Sequence, residues 1–333
     1  MAMKSILGIG NALTDILAVL PDDTLLKKYH LPLGSMQHVD MTTGDLIWQD
    51  LRKIGVQYVA GGSAANTITG TAIFGMPSGF IGKVGDDELG HLFKSDQEQY
   101  GIKSTLLKGQ NSSGRAMVFI TGANAERTFA VYLGAALELV PEDLTPEMFQ
   151  GYDYFHIEGY LVQNQALCRR AIELAHEAGC IISIDMASYN VVESNSLFLH
   201  EMVDKYIDIV FANETESKTF TGMEPEQALE EISRHCKIAV VKLGKAGSLV
   251  RSGDEWYRIP AWPGEAIDAT GAGDTYAAGF LYAHSLGLPL KVCGEVGSII
   301  SAKVVEIIGT KIDIPRWKAA KQEIRELIQK SSK

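Results

Sequence analysis

The stretch Asp268-Ala-Thr-Gly-Ala-Gly-Asp274, running straight into Thr275-Tyr-Ala-Ala-Gly-Phe-Leu-Tyr-Ala-His-Ser-Leu-Gly287, constrains the chain more than any other. Its second half is patterned as a helix: Ala277, Phe280, Leu281, His284 and Leu288 recur three and four residues apart, with Gly287 as a stop and Pro289 beyond it. Ahead of that helix, Gly271, Ala272 and Gly273 carry almost no side chain, so their backbone N–H groups can approach a ligand at the positive end of a helix dipole. That arrangement is an anion hole suited to phosphate. Asp274, at the helix start, would repel an anion. A carboxylate there makes sense when it takes a proton from an alcohol attacking the phosphate, which points to phosphoryl transfer.

Plainer readings exist. Asp274 would serve as an ordinary helix cap, since Asp favours that position. A dinucleotide-binding loop wants G-x-G-x-x-G, and Gly271-x-Gly273 is followed by Tyr276 where the third glycine belongs. A P-loop is excluded because no G-x-x-x-x-G-K-[ST] occurs in the chain.

The chain has 333 residues, enough for one large domain or two ordinary ones. With 46% apolar and 21% charged residues it has the composition of a soluble globular protein. The net charge of −11 speaks against nucleic-acid and acidic-membrane partners. Cys168, Cys180, Cys236 and Cys293 are scattered without a C-x-x-C, which fits reduced, mostly buried thiols in a cytoplasmic protein. No His pair stands at i, i+4. The N-terminal apolar run is interrupted by Asn11 and Asp15 and reads as a buried first strand rather than a signal peptide.

From Tyr152 onward, continuous apolar strands alternate with amphipathic helices: 154–157, 165–178, 181–185, 197–205, 207–211, 215–221, 225–234 and 238–242. That pattern implies an α/β fold with a mostly parallel central sheet covered by helices on both faces. Two regions break the rhythm, roughly 12–60 and 112–137. The second holds strands at 115–120 and 127–132 joined by a turn over 121–125. These regions are expected to pair as a small β lid over a body formed by roughly 1–11, 61–111 and 138–333, excluding water from the reacting phosphate.

Other motifs admit two readings each. Gly61-Gly62-Ser-Ala-Ala-Asn66 opens a helix whose small residues allow close approach to a ligand, with the Asn66 amide aimed at it. Asn213-Glu-Thr-Glu216 is a capping box by spacing, yet at the C-terminal end of a parallel strand Glu216 could also hold Mg2+ through water. Val240-Val-Lys-Leu-Gly-Lys-Ala-Gly247 is a strand exit, or Lys242, Gly244 and Gly247 line a nucleotide site. Asp15 caps a turn or accepts two hydroxyls of a sugar diol. Arg127 is a solvated arginine or a clamp on the transferring phosphate. His156 and Glu158 read as satisfied structural polar groups.

Taken together and in this order, Gly61-Gly62-x-x-x-Asn66, Asn213-x-x-Glu216 and Asp268-x-Thr-Gly-Ala-Gly-Asp274 resemble the three landmark motifs of the ribokinase-like (pfkB) family of carbohydrate and nucleoside kinases. The resemblance spans essentially the whole chain and implies an ATP- and Mg2+-dependent kinase with a β lid. It implies Asp274 as catalytic base and Gly271, Ala272 and Gly273 as anion hole. Asn213 and Glu216 match the Mg2+/phosphate motif, and Asp15, Asn11, Gly61, Gly62 and Asn66 the sugar-binding groups. Ala269 departs from the Thr or Ser usual at its position. In many members a monovalent cation, typically K+, supports the anion hole near the residues matching Asp268 and Thr270; the resemblance leaves open whether one does so here. Within the family, Gly8-Ile-Gly-Asn-Ala-Leu-Thr-Asp15 and Glu126-Arg-Thr128 look most like adenosine kinases and their bacterial relatives.

The expectation is therefore that Asp274 deprotonates a primary hydroxyl, foremost the 5′-OH of adenosine, for attack on the γ-phosphoryl of MgATP. A ribose- or fructose-type sugar kinase is the alternative acceptor class, and a catalytically silent nucleoside-binding protein a more distant one. The partner is a small molecule, and the chain is a monomer or a dimer paired through the edge of the lid.

Overall fold

The computed structural model describes residues 3–122 and 126–331. Nine strands form the main sheet, in the order Glu255–Ile259, Ser248–Ser252, Ile238–Lys242, Ile209–Asn213, Ile181–Asp185, Tyr154–Glu158, Ile6–Ile9, Ser78–Val84 and Lys103–Lys108. All neighbours pair in parallel except Ser248–Ser252, which is antiparallel to the strands on both its sides. A strand's side chains alternate between faces, and here both faces are apolar. Ile6, Tyr154, Ile209, Phe211, Ile238 and Val240 pack to one side, against the helices Ser63–Ile73, Ala272–Ser285 and Leu290–Val304. Leu7, Phe155, Ile157, Val210, Ala239 and Val241 pack to the other, against Gln165–Glu177 and Ser196–Lys205. Burial on both sides is why these strands read as unbroken apolar runs.

A second, five-stranded sheet has the order Met36–His38, Glu126–Tyr132, Gly114–Thr121, Leu13–Val19 and Gln57–Gly61. The region 21–60 is more regular than its sequence suggests. It contributes two of these strands and the helix Met41–Leu51, which Asp40 caps by accepting the Thr43 N–H at 2.8 Å. The expected turn at 121–125 falls partly on residues 123–125, outside the described residues. One face of the small sheet (Ile16, Ala18, Met117, Phe119, Ala130) packs on Ile47 and Leu51 of that helix. By the same alternation Asp15, Leu17, Ala116, Val118, Arg127, Phe129 and Val131 share the opposite face, which overhangs the C-terminal ends of the main-sheet strands.

Among the described residues no helix is long and apolar enough to cross a membrane, and the four cysteines are free.

Arg115 pins the packed face of the small sheet. Its side chain is 1% exposed, ion-paired with Asp45, and its guanidinium lies 4.9 Å from the ring centres of both Trp48 and Tyr132. Arg115→Leu keeps the apolar stem but removes both cation–π contacts and the ion pair. We expect it to cost about 2–4 kcal/mol in urea unfolding; an unchanged midpoint would show that the sandwich contributes nothing.

Candidate active site

The two sheets enclose a cavity of about 390 Å3. Its floor is the anion-hole loop and the strand ends, and its roof is the polar-and-apolar face of the small sheet.

The helix Ala272–Ser285 begins at Gly271, whose φ of +74° only glycine adopts without strain. Asp274 therefore lies in the first turn and is not the cap. The Ala272 N–H is already donated to Ala269 O at 3.1 Å. Among the described residues those of Gly271, Gly273 and Asp274 have no backbone acceptor, so these three are the groups free to meet an anion.

Asp274 Oδ1 accepts from Ser63 Oγ at 2.7 Å and Oδ2 from Asn66 Nδ2 at 2.9 Å. Both donors lie on the first turn of the helix Ser63–Ile73, three residues apart and hence on one face. Burial pushes the Asp274 carboxyl up to about 6; the Asn66 and Ser63 bonds and Lys242 hold it down, while Asp185 pushes it up. A carboxyl poised there is matched to proton transfer near neutral pH.

Glu158 is buried at the end of its strand and accepts from Asn11 N at 2.9 Å, Asn11 Nδ2 at 2.6 Å and Ala64 N at 2.9 Å. It fixes the Asn11 amide with Oδ1 as its uncommitted atom and supplies an acceptor to the Ser63–Ile73 helix start. Glu158 thus lies on the cavity wall as well as serving structure. His156 stays out of the site: it is fully buried, bonded to Ser183 Oγ at 2.9 Å, and burial lowers it to about 4.

Lys242 Nζ contacts Asp185 Oδ2 at 2.6 Å, and a Cβ on Gly273 would sit 2.8 Å from that amine, so the amine abuts the anion-hole loop. Burial opposes its charge, but Asp185, Glu216 and Asp274 hold its pKa above the ordinary value. Asp185 has no counterpart in the sequence reading. Its signal was its place at the C-terminal end of a parallel strand, where ligands gather. Ser63, inside the Gly61–Asn66 motif, was likewise missed. Asn213 and Glu216 form a closed capping box at 2.6, 2.8 and 2.9 Å, which occupies both Glu216 oxygens. Burial, first of all, raises the Glu216 carboxyl. Among the described residues no cluster of three or more His, Cys, Asp or Glu could hold a metal by itself. The residues present fit magnesium reached through water rather than a direct cage.

Gly244 and Gly247 sit in the tight turn after Lys242 and do not line this cavity. Gly62 does line it, and Gly61 lies behind Asp15, where a Cβ would fall 2.6 Å from the carboxyl carbon and both oxygens. Arg127 is neither solvated nor on the cavity wall. Its side chain is 9% exposed, with Nη2 2.6 Å from Asp268 Oδ2 and Nη1 donating to Thr270 Oγ1 at 3.1 Å. The rest of the wall carries the apolar Met36, Phe129, Val131, Leu133, Leu137 and Leu161, interrupted by His38, Tyr160, Gln163, Asn164 and Thr310.

Asp15 accepts no hydrogen bond from a described residue. Burial first, and then Asp274, pushes its carboxyl from 3.8 up to about 7, against Arg127. The folded chain thus holds a proton that the unfolded chain has lost between about pH 4 and 7, so this group's cost to stability grows as pH rises through that window. Asp15→Asn should raise the melting temperature at pH 8 by a few degrees, about 2–4 °C per kcal/mol relieved, and the gain should vanish towards pH 4. A lower melting temperature at pH 8 would contradict this.

Residues 36–317 match the pfkB family carbohydrate kinase model. The crystal structure of an adenosine kinase from Sinorhizobium meliloti superposes with a TM-score of 0.86 at 33% identity, over 97% of this chain and 100% of that one. A probable sugar kinase from Rhizobium etli CFN 42 superposes with a TM-score of 0.86 at 31% identity, over 97% of this chain and 99% of that one. The adenosine kinase of Schizophyllum commune is 26% identical over 92% of this chain and 96% of its own. The anion-hole loop with its poised carboxylate and the match along most of its length lead to one conclusion: the chain belongs to the pfkB family of carbohydrate kinases, and is a kinase that transfers phosphate from ATP to an alcohol of a sugar or nucleoside.

Proposed function

We propose that the acceptor is a nucleoside, adenosine foremost, phosphorylated on its 5′-hydroxyl. The observation that carries this reading is the mixed lining of the cavity. Asp15, Asn11, Asn66 and Asp274 line it together with the apolar side chains of Met36, Phe129, Val131, Leu133, Leu137 and Leu161. A ribose needs only the first group; a flat heterocycle attached to it would use the second. Similarity to the Sinorhizobium meliloti adenosine kinase supports the same reading. Similarity to the Rhizobium etli probable sugar kinase favours a second one, in which a free sugar is the acceptor and the apolar wall stays unused.

In this account Asp15 accepts two ribose hydroxyls and orients the sugar. Asp274, already holding Ser63 and Asn66, has one lone pair on each oxygen left to take the 5′-hydroxyl proton as the oxygen attacks the γ-phosphorus. The free amides of Gly271, Gly273 and Asp274 face the developing charge, with Lys242 beside them. Magnesium, when bound with ATP, would neutralise the β- and γ-phosphate oxygens, and Glu216 is the residue to meet it through water. The small sheet acts as the lid, its polar and apolar face excluding water.

ATP consumption measured across adenosine, other nucleosides, ribose, fructose and 2-keto-3-deoxygluconate tests this, with Asp274→Asn alongside. Adenosine should have the highest kcat/KM, and Asp274→Asn should lose roughly 10²–10⁴-fold in turnover with ATP binding nearly unchanged. A free sugar outpacing every nucleoside would overturn the acceptor. Near-normal turnover of the variant would overturn the general base.

A further inference from the structure

Asp268 is the hub of the anion-hole loop. A carboxylate offers about four lone-pair positions; three accept hydrogen bonds here and a guanidinium stands before the fourth. Oδ1 accepts from Thr270 N at 3.0 Å and Thr270 Oγ1 at 2.8 Å; Oδ2 accepts from Gly309 N at 2.9 Å and faces the Arg127 guanidinium at 2.6 Å. The arginine approaches obliquely, so the fourth contact is a charge pair rather than an aligned hydrogen bond. Thr270 is used twice, donating to Asp268 and accepting from Arg127 Nη1. A monovalent cation bound at Asp268 and Thr270 does not fit this arrangement: the guanidinium stands where it would meet the remaining carboxylate lone pair, and its charge is already supplied.

We propose that Arg127 is a built-in counter-ion that replaces a monovalent cation at Asp268, so that it positions the anion-hole loop and does not touch the phosphate. The idea rests on the anion-hole role given above to Gly271, Gly273 and Asp274. Two observations and one general property of arginine support it. Arg127 lies behind the cavity wall, whereas Thr270, Gly271 and Gly273 line it. Both Asp268 and Arg127 are nearly buried, at 5% and 9% side-chain exposure, and a carboxylate so placed needs a cation next to it. Arginine stays charged even when buried. Because Arg127 belongs to the small sheet and Asp268 to the loop, the loop is fully braced only with that sheet down over the cleft.

The test uses the full chain as wild type, Arg127→Met, Arg127→Lys, Asp268→Asn and the Arg127→Met/Asp268→Asn double variant. Nucleotide-free protein is melted, and kcat with adenosine and MgATP measured, in K+, Na+ and tetramethylammonium chloride at equal ionic strength. Wild type should melt and turn over alike in all three, kcat varying less than about twofold. Arg127→Met should lose roughly 10–100-fold in kcat in tetramethylammonium. In K+ it should regain about fivefold or more and melt higher. Arg127→Lys should keep part of the loss-free rate, having the charge without the bridge to Thr270. Adding Arg127→Met to Asp268→Asn should cost little further. A wild type that requires K+ would overturn the proposal. So would an Arg127→Met loss that K+ leaves untouched and that multiplies with Asp268→Asn, which would place the guanidinium on the phosphate. The melting response needs no turnover, so it separates failure of this inference from failure of the phosphoryl-transfer assignment.

Discussion

Five carboxylates, Asp15, Glu158, Asp185, Glu216 and Asp274, line one cavity in a protein of net charge −11, and the molecule must still attract a polyanion there. Its answer is local. Glu158 sits at the start of the helix Ser63–Ile73, Glu216 in the first turn of Glu214–Thr221, and Asp274 in the first turn of Ala272–Ser285. Each such carboxylate is placed where backbone N–H groups and the helix dipole stabilise negative charge. Lys242 adds a cation against the loop and Arg127 another behind it. Burial still dominates: the carboxyls of Asp15 and Glu158 are pushed up to about 7, that of Asp274 to about 6, and that of Glu216 is raised as well. Of the four, Asp15 alone accepts no hydrogen bond from a described residue, and Asp15 and Asp274 are the two assigned to meet the acceptor.

The main sheet fixes these groups because its strands end together. Parallel pairing brings Glu158, Asp185, Asn213 and Lys242 to neighbouring strand ends in register, Asp185 opposite Glu158 and Lys242 opposite Asn213. The small sheet has the opposite task. One face is anchored on its own helix by Leu51, Ile47 and the Arg115 sandwich, which leaves the other free to carry Asp15, Arg127 and the apolar wall over the cleft. Function here depends on a sheet whose two sides differ, where the main sheet's are both apolar.

Much of this was legible in the sequence. Fully buried parallel strands have no polar alternation, so the runs at 181–185 and 238–242 announced themselves, and the glycine loop before a small-residue helix announced the free backbone N–H groups at that helix start. The helix Met41–Leu51 did not, because it is short, contains Gly44 and is stabilised by tertiary packing rather than by propensity. The edge strand Lys103–Lys108 is framed by lysines and has no fully buried side chain, so it shows no apolar signal. Within the site, the contacts that decide roles are long-range. Ser63 and Asn66 reach Asp274 across more than two hundred residues, and Arg127 reaches Thr270 across 143. The apolar wall is assembled from the small sheet, the segment after it and the residues beyond Glu158, none of which carries a recognisable motif by itself.

The claim on which the account turns is that burial and neighbouring charge poise Asp274 as a base. Titration of the Asp274 carboxyl carbon by 13C NMR in the nucleotide-free protein, set against the acid limb of kcat/KM, measures this directly. The account predicts a carboxyl titrating near about 6 and a limb that falls as pH drops through the same region, because the protonated acid cannot accept the hydroxyl proton. A carboxyl titrating at its ordinary value of 3.8, with full activity retained at pH 5, would contradict it.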